Sequence, residues 1–179
     1  MLQLFAFERV GIAIGDIYFV DPEPAPGQEG AEHGVRVEVR LVEEQPADGS
    51  IYAARPILIG EPLWRCDLLE SVDGTAGSFD RTHHHPDMTN WEPGDRTFER
   101  GLSSQPLAWL EERLSQLTPT LEAAGLSPDI VESDVAQISA AAPQIVAVVD
   151  RMLQQVRQGA LAVPDADQLE ADLVRTGWL

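Results

Sequence analysis

Residues 35–42 read VRVEVRLV, and this strict alternation of apolar and polar residues decides the fold. Side chains alternate between the two faces of an extended strand, so the valines and the leucine share one face. One apolar and one polar face are typical of an antiparallel sheet with a core on one side. The polar face has two interpretations. Arg36, Glu38 and Arg40 form solvated ion pairs across the sheet, or they point into a functional site.

The segments around this strand extend it into a sheet. Residues 9–20 are rich in β-branched and aromatic types, which predicts a strand before it. Residues 51–59 and 63–70 predict two strands after it. The first of these follows a hairpin turn at 47–50. Gly60-Glu61-Pro62 separates the two strands by a further turn.

Polar and proline-rich segments connect these strands and mark a change to helices. Residues 21–34 hold three prolines and form a connector or a flap. Ser103-Ser104-Gln105-Pro106 predicts a helix start with serine as the N-cap. A second helix starts at Ser127, with a break or restart at Pro143, and a last short helix starts at Pro164.

The predicted fold is therefore α+β, with an N-terminal antiparallel sheet of five or six strands followed by three or four C-terminal helices. The 179 residues suit a single domain, 1–179. Within it, residues 1–100 form the sheet part and residues 101–179 form the helical part. The Ala- and Val-rich helices offer a surface for a homodimer or another protein partner.

Composition narrows the function classes. The chain carries 30 acidic residues against 12 arginines and no lysine, a formal charge of -18. This excess argues against general nucleic-acid binding, which relies on a basic surface. The single cysteine, Cys66, excludes an internal disulfide framework. With neither a signal-peptide pattern nor a long apolar run, we expect a cytoplasmic protein with no membrane association.

One segment concentrates residues suited to chemistry, because three histidines stand together at 83–85. If this segment is extended, His83 and His85 share one face and His84 points to the other. Two imidazoles at this spacing can bind one divalent metal ion, with Asp87 as the carboxylate ligand of our predicted site. Asp67, Asp80 or Glu99 could supply that carboxylate instead.

Two alternatives to the metal site stay open. Without metal, His83 and His85 could perform acid–base catalysis, with Arg65 and Arg81 stabilising negative charge and Asp67 in support. The histidines could also be structural, in a wet loop that ends at Pro86. The sequence holds no P-loop, dinucleotide-binding glycine pattern or common hydrolase motif that would indicate a different site.

Three short runs carry a resemblance: WRCDLLE at 64–70, FDRTHHHP at 79–86 and WEPGDRTF at 91–98. Together they resemble an uncharacterised family of small proteins from high-GC bacteria, over residues 63–117. That family brings no established activity. A strand with an arginine and an aspartate followed by a histidine cluster is also similar to some toxins of toxin–antitoxin pairs. This second resemblance implies a ribonuclease role, although the C-terminal helices depart from it.

The leading functional hypothesis is a toxin-like hydrolase or ribonuclease that uses His83 and His85, with Arg65, Arg81 and Asp67 in support. The first alternative is a non-enzymatic acidic interaction protein with structural histidines. The second is a protein that binds a metal or a small ligand without turnover.

Overall fold

A computed structural model describes residues 1–46 and 49–164 of the chain. It has an antiparallel sheet followed by helices, which confirms the predicted α+β fold. The strands are β1 (Leu2–Ala6), β2 (Val10–Val20), β3 (Ala31–Glu44), β4 (Ile57–Ser71), β5 (His83–His85), β6 (Met88–Thr89) and β7 (Glu92–Pro93). The helices of the described residues are α1 (Arg100–Ser104), α2 (Pro106–Leu114), α3 (Thr118–Ala123) and α4 (Pro128–Arg157).

Strand order in the main sheet follows the chain, from β1 to β5, and every pair is antiparallel. The β6–β7 hairpin forms a separate two-stranded sheet. Residues directly opposite each other in an antiparallel pair share a face. Arg36 lies opposite Asp67, and Asp67 lies opposite His83. The register therefore brings side chains from three strands to the same region of one face.

The other face of the sheet carries the core. Val35, Val37 and Val39 of β3 are fully buried, as the alternation at 35–42 predicts. They join apolar side chains of the helices in one cluster, including Leu110, Leu114, Ile138, Ile145 and Met152. Full burial of each large aliphatic side chain stabilises the fold by about 1.5–3 kcal/mol. The helices cover this face of the sheet, so a ligand could reach only the opposite face.

Helix α4 runs unbroken for 30 residues with Pro143 in its interior, so the predicted break there is wrong. A proline inside a helix removes one hydrogen bond and costs roughly 3 kcal/mol. Ala142 and Ile145 are buried on either side of it, and we attribute the continuity to this packing. Asp134 of the same helix accepts hydrogen bonds from the backbone N–H groups of Glu8 and Arg9, each at 2.9 Å. These bonds attach the helix to the turn between β1 and β2.

Two predicted strands are in fact one. Residues 51–56 lie outside the sheet, and β4 then continues through the expected turn at 60–62. Pro62 has no N–H for the ladder, and the β3–β4 register shifts beside it, at Arg40. Strand β1 was not predicted.

Two further sequence predictions concern the start of α2 and two segments that lie partly outside the described residues. The serines expected to cap α2 belong to α1, and α2 begins at Pro106 without a side-chain cap. The hairpin turn at 47–50 and the helix from Pro164 extend into positions outside the described residues.

Candidate functional site

The face of the sheet turned away from the helices carries a cluster of charged side chains and imidazoles. Its members are Arg36, Glu38 and Arg40 of β3, Arg65 and Asp67 of β4, and His83 and His85 of β5. The opposing positions of β2 are Gly11, Ala13 and Gly15. Because these residues are small, they leave space above β2 for the long side chains of β3. Both interpretations of the polar face are met in part, since Arg36 and Arg40 form ion pairs with Asp67 and Glu38, and all four side chains line a cavity.

All members of this cluster except His85 form the floor of a cavity of about 960 Å³. Leu2 and Leu4 of the first strand line it, and so do Trp91 and Pro93 of the β6–β7 region beyond the last strand. Residues from the two opposite edges of the sheet therefore border one space, so the sheet curves around it. Cavities of roughly 300–1,000 Å³ are the usual size for small-molecule sites.

Asp67 is the centre of the floor and is 1% exposed. Its Oδ1 accepts a hydrogen bond from Arg36 Nε at 2.7 Å, and its Oδ2 lies 3.0 Å from Arg65 Nε. Burial by itself would raise the pKa of Asp67, but Arg36 and Arg65 outweigh it and hold that pKa well below its usual range. The carboxylate is therefore ionised at any physiological pH.

Backbone carbonyls orient both site histidines. The Nδ1 atom of His83 lies 2.8 Å from the carbonyl oxygen of Arg81, and Nδ1 of His85 lies 2.7 Å from that of Gly94. A carbonyl oxygen only accepts hydrogen bonds, so these contacts assign the proton of each neutral ring to Nδ1. Each Nε2 atom then carries a lone pair.

The two Nε2 atoms have different neighbours. Arg65 Nη2 donates to Nε2 of His85 at 2.9 Å, whereas Nε2 of His83 lies 3.5 Å from Asp67 Oδ2. His83 also borders the cavity. Burial lowers the pKa of His83, and burial with Arg65 lowers the pKa of His85 to about 4. His85 thus positions Arg65, and His83 presents a neutral base beside the space for a ligand.

Asp67, His83 and His85 each offer a metal-ligand atom, and these atoms lie within 4.8 Å of one another. Two imidazoles and a carboxylate suit a divalent transition metal. Arg65, however, contacts Asp67 Oδ2 and the single lone pair of His85 Nε2. A metal ion would have to displace this guanidinium. The cation that the ligand atoms of Asp67 and His85 contact in the structure is therefore Arg65 itself.

The structure places two of the predicted site residues away from this cluster. Asp87 is exposed and is not one of the three grouped ligands, so Asp67 takes the position expected for it. Arg81 donates to the carbonyl oxygens of Gly27 and Glu29, at 2.5 and 3.3 Å. It holds the loop between β2 and β3 and does not line the cavity.

Sequence reasoning missed three residues of this region. Arg96 lines the cavity and donates to Gln28 at 2.9 Å, so it also holds the β2–β3 loop. Trp91 is 58% exposed and borders the cavity with its ring 4.9 Å from the Arg40 guanidinium. Glu32 is 1% exposed, and neither carboxylate oxygen has a hydrogen-bond partner among the described residues. Because every second residue of a strand shares a face, Glu32 could have been assigned to the face of Arg36 from the sequence.

Burial raises the pKa of Glu32 to about 7, against the opposing effect of Arg96 and Arg81. The carboxyl group is thus largely protonated in mildly acidic solution. It lies opposite Phe19, a residue of the cavity wall.

The third histidine belongs to the helical side, as the alternation predicts. His84 lies opposite Cys66, and its Nε2 atom lies 2.9 Å from Glu99 Oε1. Its ring centroid is 5.2 Å from that of Trp109. Burial raises the pKa of the Cys66 thiol well above its usual value, so this cysteine is an inert core residue.

Comparison of this chain with protein-family models, with curated proteins and with solved structures gives no match. The two resemblances drawn from the sequence therefore stay predictions. None of the helices within residues 1–46 and 49–164 is long and apolar enough to cross a bilayer.

Proposed function

We propose that this protein is a hydrolase that uses metal-free acid–base catalysis in the cavity of the curved sheet. The observation that carries the proposal is the position of His83, a neutral imidazole of fixed tautomer that borders the cavity beside Asp67. A candidate general base needs a free lone pair within reach of a substrate, and the fixed tautomer leaves this lone pair on Nε2 of His83, a buried residue of the cavity lining.

The reaction would begin with transfer of a proton to Nε2 of His83. Among the described residues, those that line the cavity include no hydroxyl, thiol or amine side chain. The Asp67 carboxylate beside His83 is held by Arg36 and Arg65, so we assign the role of nucleophile to a water molecule or to a hydroxyl group of the substrate itself. The imidazolium that forms lies 3.5 Å from the Asp67 carboxylate, which stabilises its charge. It then returns the proton to the leaving group.

Arg65 would stabilise the negative charge that develops on the substrate. It is held from two sides, by Asp67 at Nε and by His85 at Nη2. A donor fixed in this way needs little reorganisation during the reaction. His85 is then a positioning residue, and its replacement by glutamine should lower the rate less than replacement of His83.

The test is hydrolysis of bis(p-nitrophenyl) phosphate, p-nitrophenyl acetate and a single-stranded RNA, each in the presence of EDTA. We expect His83→Gln to lower kcat by about 10²–10⁴-fold for the substrate that is turned over. His33→Gln is the matched control, since His33 does not line the cavity. Full activity in His83→Gln, or no turnover of any of the three, would contradict the proposal. Loss of activity in EDTA that Zn²⁺ or Mn²⁺ restores would favour the metal site.

The pH dependence gives a second test. The pKa of His83 lies below the usual 6.5 because of burial, and nearby Asp67 opposes this shift. The base is therefore neutral at pH 7, and kcat/KM should fall only as the pH drops below about 6.5. An acidic limb above that pH would contradict the role of His83.

A second candidate is binding of a small ligand without turnover. It is favoured by the absence of a hydroxyl, thiol or amine side chain among the described cavity residues. The ribonuclease substrate, the protein partner or homodimer and the cytoplasmic location stay predictions.

A further inference from the structure

The floor of the cavity carries more positive than negative charge. Arg36, Arg40 and Arg65 stand against Glu38 and Asp67, which leaves one positive charge. The site histidines are neutral because burial lowers the pKa of each. Elsewhere the chain is strongly acidic, with a total formal charge of -18. A single excess positive charge in a poorly hydrated floor attracts one anionic group.

The guanidiniums of the floor have donors left for such a group. Arg36 donates from Nε and Nη2 to Asp67, and Arg65 donates from Nη2 to His85, while its Nε lies 3.0 Å from Asp67 Oδ2 as an ion pair without a hydrogen bond. The Nη1 atom of each carries two more N–H groups that these contacts do not involve. A planar carboxylate matches the geometry of such donors.

The walls of the cavity are apolar, in contrast to the floor. They are formed by Leu2, Leu4, Phe19, Ile59, Pro62 and Trp91. The Trp91 backbone has φ 73°, a region that costs energy for a non-glycine residue. An exposed tryptophan ring held there can stack on a flat ligand.

The rim of the cavity disfavours a polymer of negative charge. Asp21, Glu92 and Arg96 also line the cavity, so its described lining holds four arginines and four carboxylates and is neutral as a whole. The volume of about 960 Å³ also suits one small molecule better than a nucleic-acid strand.

We infer that the substrate is a small organic monoanion with a flat apolar body. Its anionic group would lie on Arg36 and Arg65, and its apolar part would lie against Trp91 and the first strand. This inference names the substrate class of the hydrolase site proposed above and rests on that site being the functional one.

Matched ligands test the charge requirement directly. We would measure the affinities of benzoate and naphthalene-2-carboxylate, and of their neutral carboxamides, by isothermal titration calorimetry at pH 7.5. We expect each carboxylate to bind at least 10-fold more tightly than its carboxamide, and the naphthalene pair more tightly than the benzene pair. Equal affinity within both pairs, or no binding of either carboxylate, would overturn the inference.

Two variants and a control locate the ligand. Trp91→Ala should weaken naphthalene-2-carboxylate and its amide by a similar factor, since it removes the apolar contact from both. Arg65→Gln should reduce the preference for the carboxylate at least 5-fold. Arg55→Gln, which removes an exposed arginine paired with Glu44, should change neither. A carboxylate preference that survives in Arg65→Gln and in Arg36→Gln would contradict the assigned position of the anionic group. Where one of these variants folds poorly, the other provides the test.

His83→Gln separates this inference from the proposed hydrolase. Carboxylate-selective binding in His83→Gln without turnover in the wild type would support the substrate class and contradict the hydrolase. Turnover of neutral p-nitrophenyl acetate, together with no carboxylate preference, would support the hydrolase and contradict the substrate class. Tighter binding of a ten-nucleotide RNA than of any carboxylate would assign the cavity to a nucleic-acid strand instead.

Discussion

Replacing Glu32 with glutamine should stabilise the protein above neutral pH. Burial raises the pKa of Glu32 from the ordinary 4.5 to about 7, while Arg96 and Arg81 oppose the rise and Asp21 and Asp67 add to it. A group whose pKa is raised by folding holds its proton more tightly in the folded state. Its contribution to stability is complete below pH 4.5 and is lost as the pH rises to about 7.

The magnitude follows from the two pKa values. Each pH unit between them costs about 1.4 kcal/mol, so the ionised wild type is less stable by about 3 kcal/mol at pH 8.5 than it would be with a neutral side chain. Glutamine does not titrate and keeps a similar volume. We therefore expect Glu32→Gln to exceed the wild-type free energy of unfolding by less than about 1 kcal/mol at pH 5.0 and by up to about 3 kcal/mol at pH 8.5.

Urea denaturation at pH 5.0 and pH 8.5, followed by tryptophan fluorescence, measures this difference. Subtraction of wild type from variant removes the titration of Asp67 and the histidines, which is common to both. Glu44→Gln is the control, since Glu44 is an exposed residue of the same strand; we expect a change below about 0.5 kcal/mol at either pH. A variant that is less stable at pH 8.5 would refute the reasoning, because Glu32 would then be an ionised partner of an arginine.

Three further substitutions test the packing around the site. Asp67→Asn leaves two buried guanidiniums without their carboxylate and should lower the free energy of unfolding by about 3–5 kcal/mol, measured by urea denaturation; a loss below 1 kcal/mol would contradict the buried pairing. Gly34→Ala places a Cβ atom 2.0 Å from the carbonyl oxygen of Leu68, so we expect a lowered melting temperature or insoluble protein, and an unchanged melting temperature would show that the two strands separate easily. Arg81→Ala removes the bonds that hold residues 21–30, and limited proteolysis should cut there faster than in the wild type, with equal rates arguing against this attachment.

The face assignments were the most predictable part of the structure. Alternation at 35–42 assigned Val37 to the core face and Arg36 to the opposite face, and both assignments are correct because the period of a strand is fixed by its geometry. The same rule separated His84 from His83 and His85. Sequence could not decide whether Arg36 faces water or a cavity, since that depends on how the sheet curves.

Where a strand or helix ends was harder to predict than whether a segment is a strand or a helix. Proline suggested an end at both Pro62 and Pro143, yet β4 and α4 continue through them. A register shift accommodates Pro62 in β4. We attribute the continuity of α4 at Pro143 to the buried residues on either side of it. Such compensation comes from tertiary contacts that no local pattern contains.

The candidate site was predicted in part. His83, His85, Arg65 and Asp67 lie together as expected, because the strand pairing places them side by side. Arg81 bonds to a loop distant in sequence, which local patterns do not reveal.

The order of strands in the main sheet has a consequence for folding kinetics. Each strand pairs with the one before it in the chain, so the sheet can grow by successive hairpins without a long-range crossover. Pairing of β3 with β4 places Arg36 opposite Asp67. It also positions β4, the strand on which the histidines of β5 pair. Strand β5, only three residues long, can pair only after β4 is in place. We therefore expect the charged floor to form early and the imidazoles to join it late, so that an incompletely folded chain would hold the arginines together but lack the base.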